Sequence, residues 1–278
     1  MISFLFLLTL LGCSHDEEQT PAAQPTIATP VAPKEYKLVW SDEFDQPGAP
    51  NPARWDYDLG DGCPNVCNWG NNELQFYTQE ANNVRVQNGL LIIEAHKEKK
   101  GTKEYSSTRL VSRDKGDWTY AKIEVRAKLP KGKGTWPAIW MLPTDWRYGG
   151  WPKSGEIDIM EHVGFNEGQV HGTVHTEAYN HGIGTQKGGF MQVPDATSAF
   201  HIYSIEWEAD AIAFKIDGKM YYSFGRTGSG SAEWPFDQRF HLIMNIAVGG
   251  NWGGQQGIDD TIWPQRMEVD YVRVYQRQ

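Results

Sequence analysis

Apolar residues recur along the chain in short runs that suit strands: residues 83–86, 90–95, 121–128, 136–142, 169–176, 202–208, 211–216, 220–224, 242–248 and 269–275. Asn88-Gly89 separates NVRVQ from LLIIEA, and Asp217-Gly218 separates AIAFKI from KMYYSF. Both dipeptides are type I′ hairpin signals. No window long enough for a helix holds a clean 3.6-residue period free of Gly and Pro. The pattern predicts an all-β fold, an antiparallel sandwich or barrel with two packed sheets favoured at this length.

The one long apolar run, residues 4–11, is too short to cross a bilayer but matches the apolar part of an export signal, although no Lys or Arg lies between Met1 and Phe4. It ends in Leu10-Leu11-Gly12-Cys13, which resembles a bacterial lipoprotein processing site and implies lipid attachment at Cys13. Residues 14–36 are rich in Pro, Ala and Thr without an apolar period and read as a spacer. The expected organisation is an export segment 1–13, a spacer 14–36 and one folded domain 37–278, placed on the cell envelope by a lipid or otherwise secreted. A monomer is expected.

Charge and composition narrow the partners. Lys plus Arg number 26 against 35 Asp plus Glu, a formal charge of −9, which lacks the basic footprint that nucleic acid or anionic lipid requires. Aromatic residues make up 13%, more than a core of this size needs, and rings left in a groove suit the C–H faces of sugars. The three cysteines, Cys13, Cys63 and Cys67, are too few for a disulfide scaffold or a Cys-type zinc site. Cys63 and Cys67 are close enough for a tight disulfide; a buried free pair is the other reading.

The densest chemistry is SGEIDIMEH, residues 154–162. On a strand Glu156 and Asp158 share one face while Ile157 takes the other. Glu161 has the wrong parity, and a β-bulge at Ile159-Met160 would return it to the carboxylate side. Crowding three acids costs energy through repulsion, so the arrangement implies either a cation or a chemical task. Retaining glycoside hydrolysis is such a task, because one carboxylate attacks the anomeric carbon while a second protonates the leaving oxygen. Trp136, Trp140, Trp146 and Trp151 precede this strand as a cluster. His171 and His175 would share a strand face, and the poor helix formers between them, with no HExxH, argue against zinc.

Together these residues resemble glycoside hydrolase family 16. GEIDIME looks like that family's bulged active-site signature. VWSDEFD, WGNNELQFYT, GTWPAIWMLP, GTVHT, HIYSIEW, GGNWGG and MEVDYVRVYQ are similar to its bacterial laminarinases. The resemblance implies a concanavalin A-like β-jelly-roll sandwich with an open concave cleft, and endo attack on β-1,3-glucan or mixed β-1,3-1,4-glucan with retention. It assigns Glu156 as nucleophile, Glu161 as acid/base and Asp158 as their assistant. Trp136, Trp140, Trp151, His175, Asn71, Glu73, Arg109 and Trp252 match positions lining the sugar cleft. No catalytic cofactor is implied; a structural calcium is, at Glu43, Gly89 and Asp270. A silent glucan-binding lectin, a transglycosylase and an agarase-like enzyme are the competing readings.

Overall fold

The computed structural model describes Met1, residues 35–228 and residues 230–278. Cys13 and nearly all of the predicted export segment and spacer lie outside the described residues. The domain opens at Glu35, and its first strand, Tyr36–Asp42, begins one residue ahead of the expected boundary.

Two antiparallel sheets, each of eight strands among the described residues, pack face to face. In neighbour order the first sheet contains Lys219–Gly225, Ala211–Ile216, His201–Trp207, Ala121–Lys128, Gln265–Arg277, Leu90–Ala95 and Val84–Gln87. Tyr36–Asp42 also pairs with the terminal strand. The second contains Lys187–Gln192, Gln169–His175, Glu156–Glu161, Thr135–Pro143, Phe240–Val248, Arg109–Val111 and Asp56–Tyr57, with Asp117–Trp118 also on Phe240–Val248. All-β antiparallel architecture is therefore as expected. The exception is a small parallel pair, Gln75–Tyr77 with Tyr105–Ser107.

Alternation decides which side of each strand is buried. In Ala121–Lys128 the residues Ile123, Val125 and Ala127 enter the core, while Lys122, Glu124, Arg126 and Lys128 are only half-buried. Ile139, Met141, Ile157, Val174, Met244 and Ile246 meet them from the second sheet, all fully buried. Each such side chain contributes about 1.5–3 kcal/mol through lost apolar exposure. Phe240–Val248 is buried at every position, because its outer face also lies under aromatic side chains of the cleft. Both predicted hairpin turns form: Asn88 and Gly89 have φ of 55° and 76°, Asp217 and Gly218 of 50° and 76°, as type I′ geometry demands.

Candidate active site

The acidic strand Glu156–Glu161 lies between Thr135–Pro143 and Gln169–His175. Asp158 stands opposite Trp140 and Thr173, whereas Glu161 stands opposite Ala138 and His171. Three steps along the acidic strand thus match two on each neighbour, which is the predicted bulge at Ile159-Met160. Ile157, Ile159 and Met160 are buried in the core, leaving the three carboxylates for the cleft face. Gly155 sets the strand's entry with φ of +87°, and a Cβ there would lie 2.8 Å from Pro235, so only glycine fits. The preceding turn is held by Ser154, whose hydroxyl donates to the Gly149 carbonyl at 2.6 Å and accepts from the Tyr148 amide at 3.0 Å.

Each glutamate is held by an indole. Trp151 Nε1–H donates to Glu156 Oε2 at 3.0 Å, and Trp136 Nε1–H to Glu161 Oε1 at 3.0 Å. His175 Nε2 lies 3.3 Å from Asp158 Oδ2 and 3.7 Å from Glu156 Oε1. Burial first, then the Asp158 charge, pushes Glu156 and Glu161 each up to about 8. Glu161 also raises Glu156, so the two carboxylates interact despite the length of strand between them. Burial pushes Asp158 well above the usual carboxylate range. Through the Asp158 charge the three titrate as one coupled group.

A second cluster flanks the first. Arg109 is sandwiched between Trp69 and Trp140, its guanidinium carbon 4.5 and 4.6 Å from the two ring centroids. Trp140 Nε1–H donates to Asn245 Oδ1 at 2.7 Å, and Asn245 Nδ2–H donates to the Tyr77 hydroxyl at 3.0 Å. Tyr77 donates in turn to Glu73 Oε2 at 3.3 Å. Glu73 is buried, and its oxygens also accept from Gln75 at 2.6 Å and Asn71 at 3.3 Å. It therefore braces the floor under Trp140 rather than facing solvent. Trp252 sits edge-on to Trp136 and His171, with centroids 5.6 and 5.0 Å away.

Sequence reasoning missed Trp69, His181 and Asn245. Cys63 and Cys67 form a disulfide, and the turn that follows, Cys67–Gly70, holds Asn68 and Trp69 at φ of 55° and 52°. Lys103 Nζ donates to Asn68 Oδ1 at 2.5 Å, helping to fix the loop that lays Trp69 on Arg109. Trp69→Ala should therefore raise KM on a polymeric substrate about threefold, the worth of one cation–π contact, with kcat little changed; steady-state kinetics checks this. His181 packs on Trp151 and His175, with centroids 4.9 and 5.2 Å away. Its only signal was its nearness in sequence to His175. Asn245 had a usable one, a lone polar residue inside the apolar run LIMNIAV.

The predicted calcium set is not borne out. Glu43 accepts from Arg273 Nε and Nη2 at 3.0 and 2.8 Å, which holds its carboxyl below the usual range. Asp270 is paired with Arg126. Both carboxylates that would attract calcium are paired with arginines, and nothing in this structure supports the ion there. Among the described residues, one group of three or more His, Cys, Asp or Glu side chains has metal-like spacing, Glu156, Asp158 and His175 within 4.8 Å. Those residues belong to the carboxylate cluster already described, and His171 is not part of it.

The model of the family described as glycosyl hydrolases family 16 matches residues 70–273. A β-glucanase from Rhodothermus marinus is 53% identical over 279 residues, covering 97% of this chain and 93% of its own. The X-ray structure of the laminarinase from Rhodothermus marinus superposes with a TM-score of 0.84 at 55% identity, covering 88% of this chain and 99% of that one. A non-specific endo-β-1,3(4)-glucanase, crystallised as a mutant with 1,3-β-D-cellobiosyl-glucose at its active site, gives 0.84 at 48% identity over 88% of this chain and 96% of its own.

Proposed function

The chain belongs to glycosyl hydrolase family 16, and on that footing we propose that it cleaves β-1,3-glucan internally by double displacement with retention. Glycoside hydrolase activity and endo action on β-1,3-glucan follow from the similarity to laminarinases over nearly the whole domain. The observation that carries the mechanism is the bulge, which gathers Glu156, Asp158 and Glu161 on one face.

In the first step the microstate with Glu156 ionised and Glu161 protonated reacts: Glu156 attacks the anomeric carbon while Glu161 passes its proton to the glycosidic oxygen, releasing one fragment. In the second, ionised Glu161 takes a proton from water, whose oxygen displaces Glu156 from the same carbon. Two inversions leave the original anomer. Trp151 and Trp136 aim the two carboxylates. Asp158, its carboxyl raised by burial, sits beside Glu156 and raises both glutamates in turn. His175 supplies Asp158 and Glu156 with a polar neighbour. No cofactor is needed for this chemistry.

A polysaccharide panel tests the reading. Laminarin should release reducing ends fastest, lichenan more slowly, and agarose and carrageenan not at all, with the β anomer appearing first by NMR. Galactan cleavage or an α product would overturn it. The intact carboxylate triad argues against a lectin, which has no use for such repulsion. We further propose, from the LLGC motif, export and lipid attachment at Cys13, with the catalytic domain held off the membrane as a monomer by the spacer. Radiolabelled palmitate incorporation that disappears in Cys13→Ala checks the anchor.

A further inference from the structure

The cleft sheet carries one large apolar side chain that the proposed reaction does not use. Phe190 is 55% exposed on the edge strand Lys187–Gln192. Its neighbour Met191 points the other way, against the core. Phe190 therefore shares the outer face with the reactive carboxylates. The register places it in one transverse row with them: Arg109 opposite Asn245, Asn245 opposite Ala138, Ala138 opposite Glu161, Glu161 opposite His171, and His171 opposite Phe190. The His171 and Phe190 rings are tilted at 41° with centroids 5.7 Å apart. Gly188, on the same face two residues away, is exposed and has no side chain to cover the ring.

An exposed phenylalanine on an unpaired edge strand invites aggregation unless something covers it. Here the ring continues the floor of the cleft. Adjacent strands are spaced about 4.8 Å apart, so Phe190 stands roughly 10 Å from the Glu161 strand, within the reach of a polymer crossing the sheet along this row. We infer that Phe190 is a distal stacking platform for a sugar unit of the bound polysaccharide, on the flank opposite Arg109. The inference rests on the proposed function for its substrate class. It makes the cleft longer than the residues around the carboxylates require, and it makes Phe190 a determinant of chain-length preference.

Chain length separates this role from a structural one. Phe190→Ala should lower kcat/KM on laminarin about fivefold, in the range that one stacked ring supplies, and leave laminaritriose within about twofold. Phe190→Trp should restore the laminarin value. In a Glu156→Gln background, Phe190→Ala should weaken binding of long laminarioligosaccharides by the same factor. An equal loss on long and short substrates, or no loss on either, overturns the inference. If the native enzyme ignores laminarin but cuts another polysaccharide, the β-1,3 assignment falls instead. The same long-against-short comparison on that polymer then decides the role of Phe190.

Discussion

Glu156→Gln is expected to lose about 10⁴-fold in kcat on laminarin, because it removes the atom that forms the covalent bond to the sugar. The fold should survive, since the amide retains an oxygen for the Trp151 N–H. Stability should change with a definite sign. The carboxyl is pushed up to about 8 in the folded protein, chiefly by burial, so the folded state favours its protonated form. That advantage is complete below the unfolded carboxyl range and is lost as pH rises through about 8. Glutamine mimics the protonated form. Tm of the variant should match the native protein at pH 4 and exceed it by roughly 5 °C at pH 9. Thermal scans across this range check it, and a Tm that falls at high pH would contradict the burial argument.

Glu161→Gln should be nearly as damaging on glucan, about 10³-fold or more in kcat/KM, yet far milder in kcat/KM on an aryl glucoside whose leaving group departs without a proton. The native enzyme should keep this acid protonated through neutrality and lose activity as pH rises beyond about 8. The sign follows from the role: a general acid works only while it holds its proton, and the raised value extends that window upward. On the aryl substrate the variant should lose this alkaline limb. Profiles of kcat/KM against pH for both enzymes on both substrates provide the measurement. Equal damage on the two substrates would assign Glu161 another role.

Much of this site is legible because two-residue periodicity converts sequence spacing into faces. Glu156 and Asp158 share parity, and the misplaced Glu161 forces an extra residue, which the strand contains. His171 and His175 fall on the cleft face for the same reason. What periodicity cannot show is pairing between short pieces. Asp56–Tyr57, Arg109–Val111 and Asp117–Trp118 are too brief to carry a pattern, yet Arg109–Val111 delivers Arg109 to the cleft. Lys187–Gln192 is masked by two glycines, and Tyr36–Asp42 by exposed Leu38 and Val39. The calcium expectation shows another limit: spacing reveals oxygen donors but not the arginines, distant in sequence, that pair with Glu43 and Asp270.

The extra residue in the acidic strand also bears on how this segment tolerates losing a codon. Ordinarily a one-residue deletion in a strand inverts every side chain downstream. Here, loss of Met160 would leave the final glutamate an even number of positions from Glu156, still aimed at the substrate. What disappears is one fully buried side chain, a packing defect of about 2–5 kcal/mol. At this position the reactive geometry is buffered against shortening, and the penalty falls on the interior.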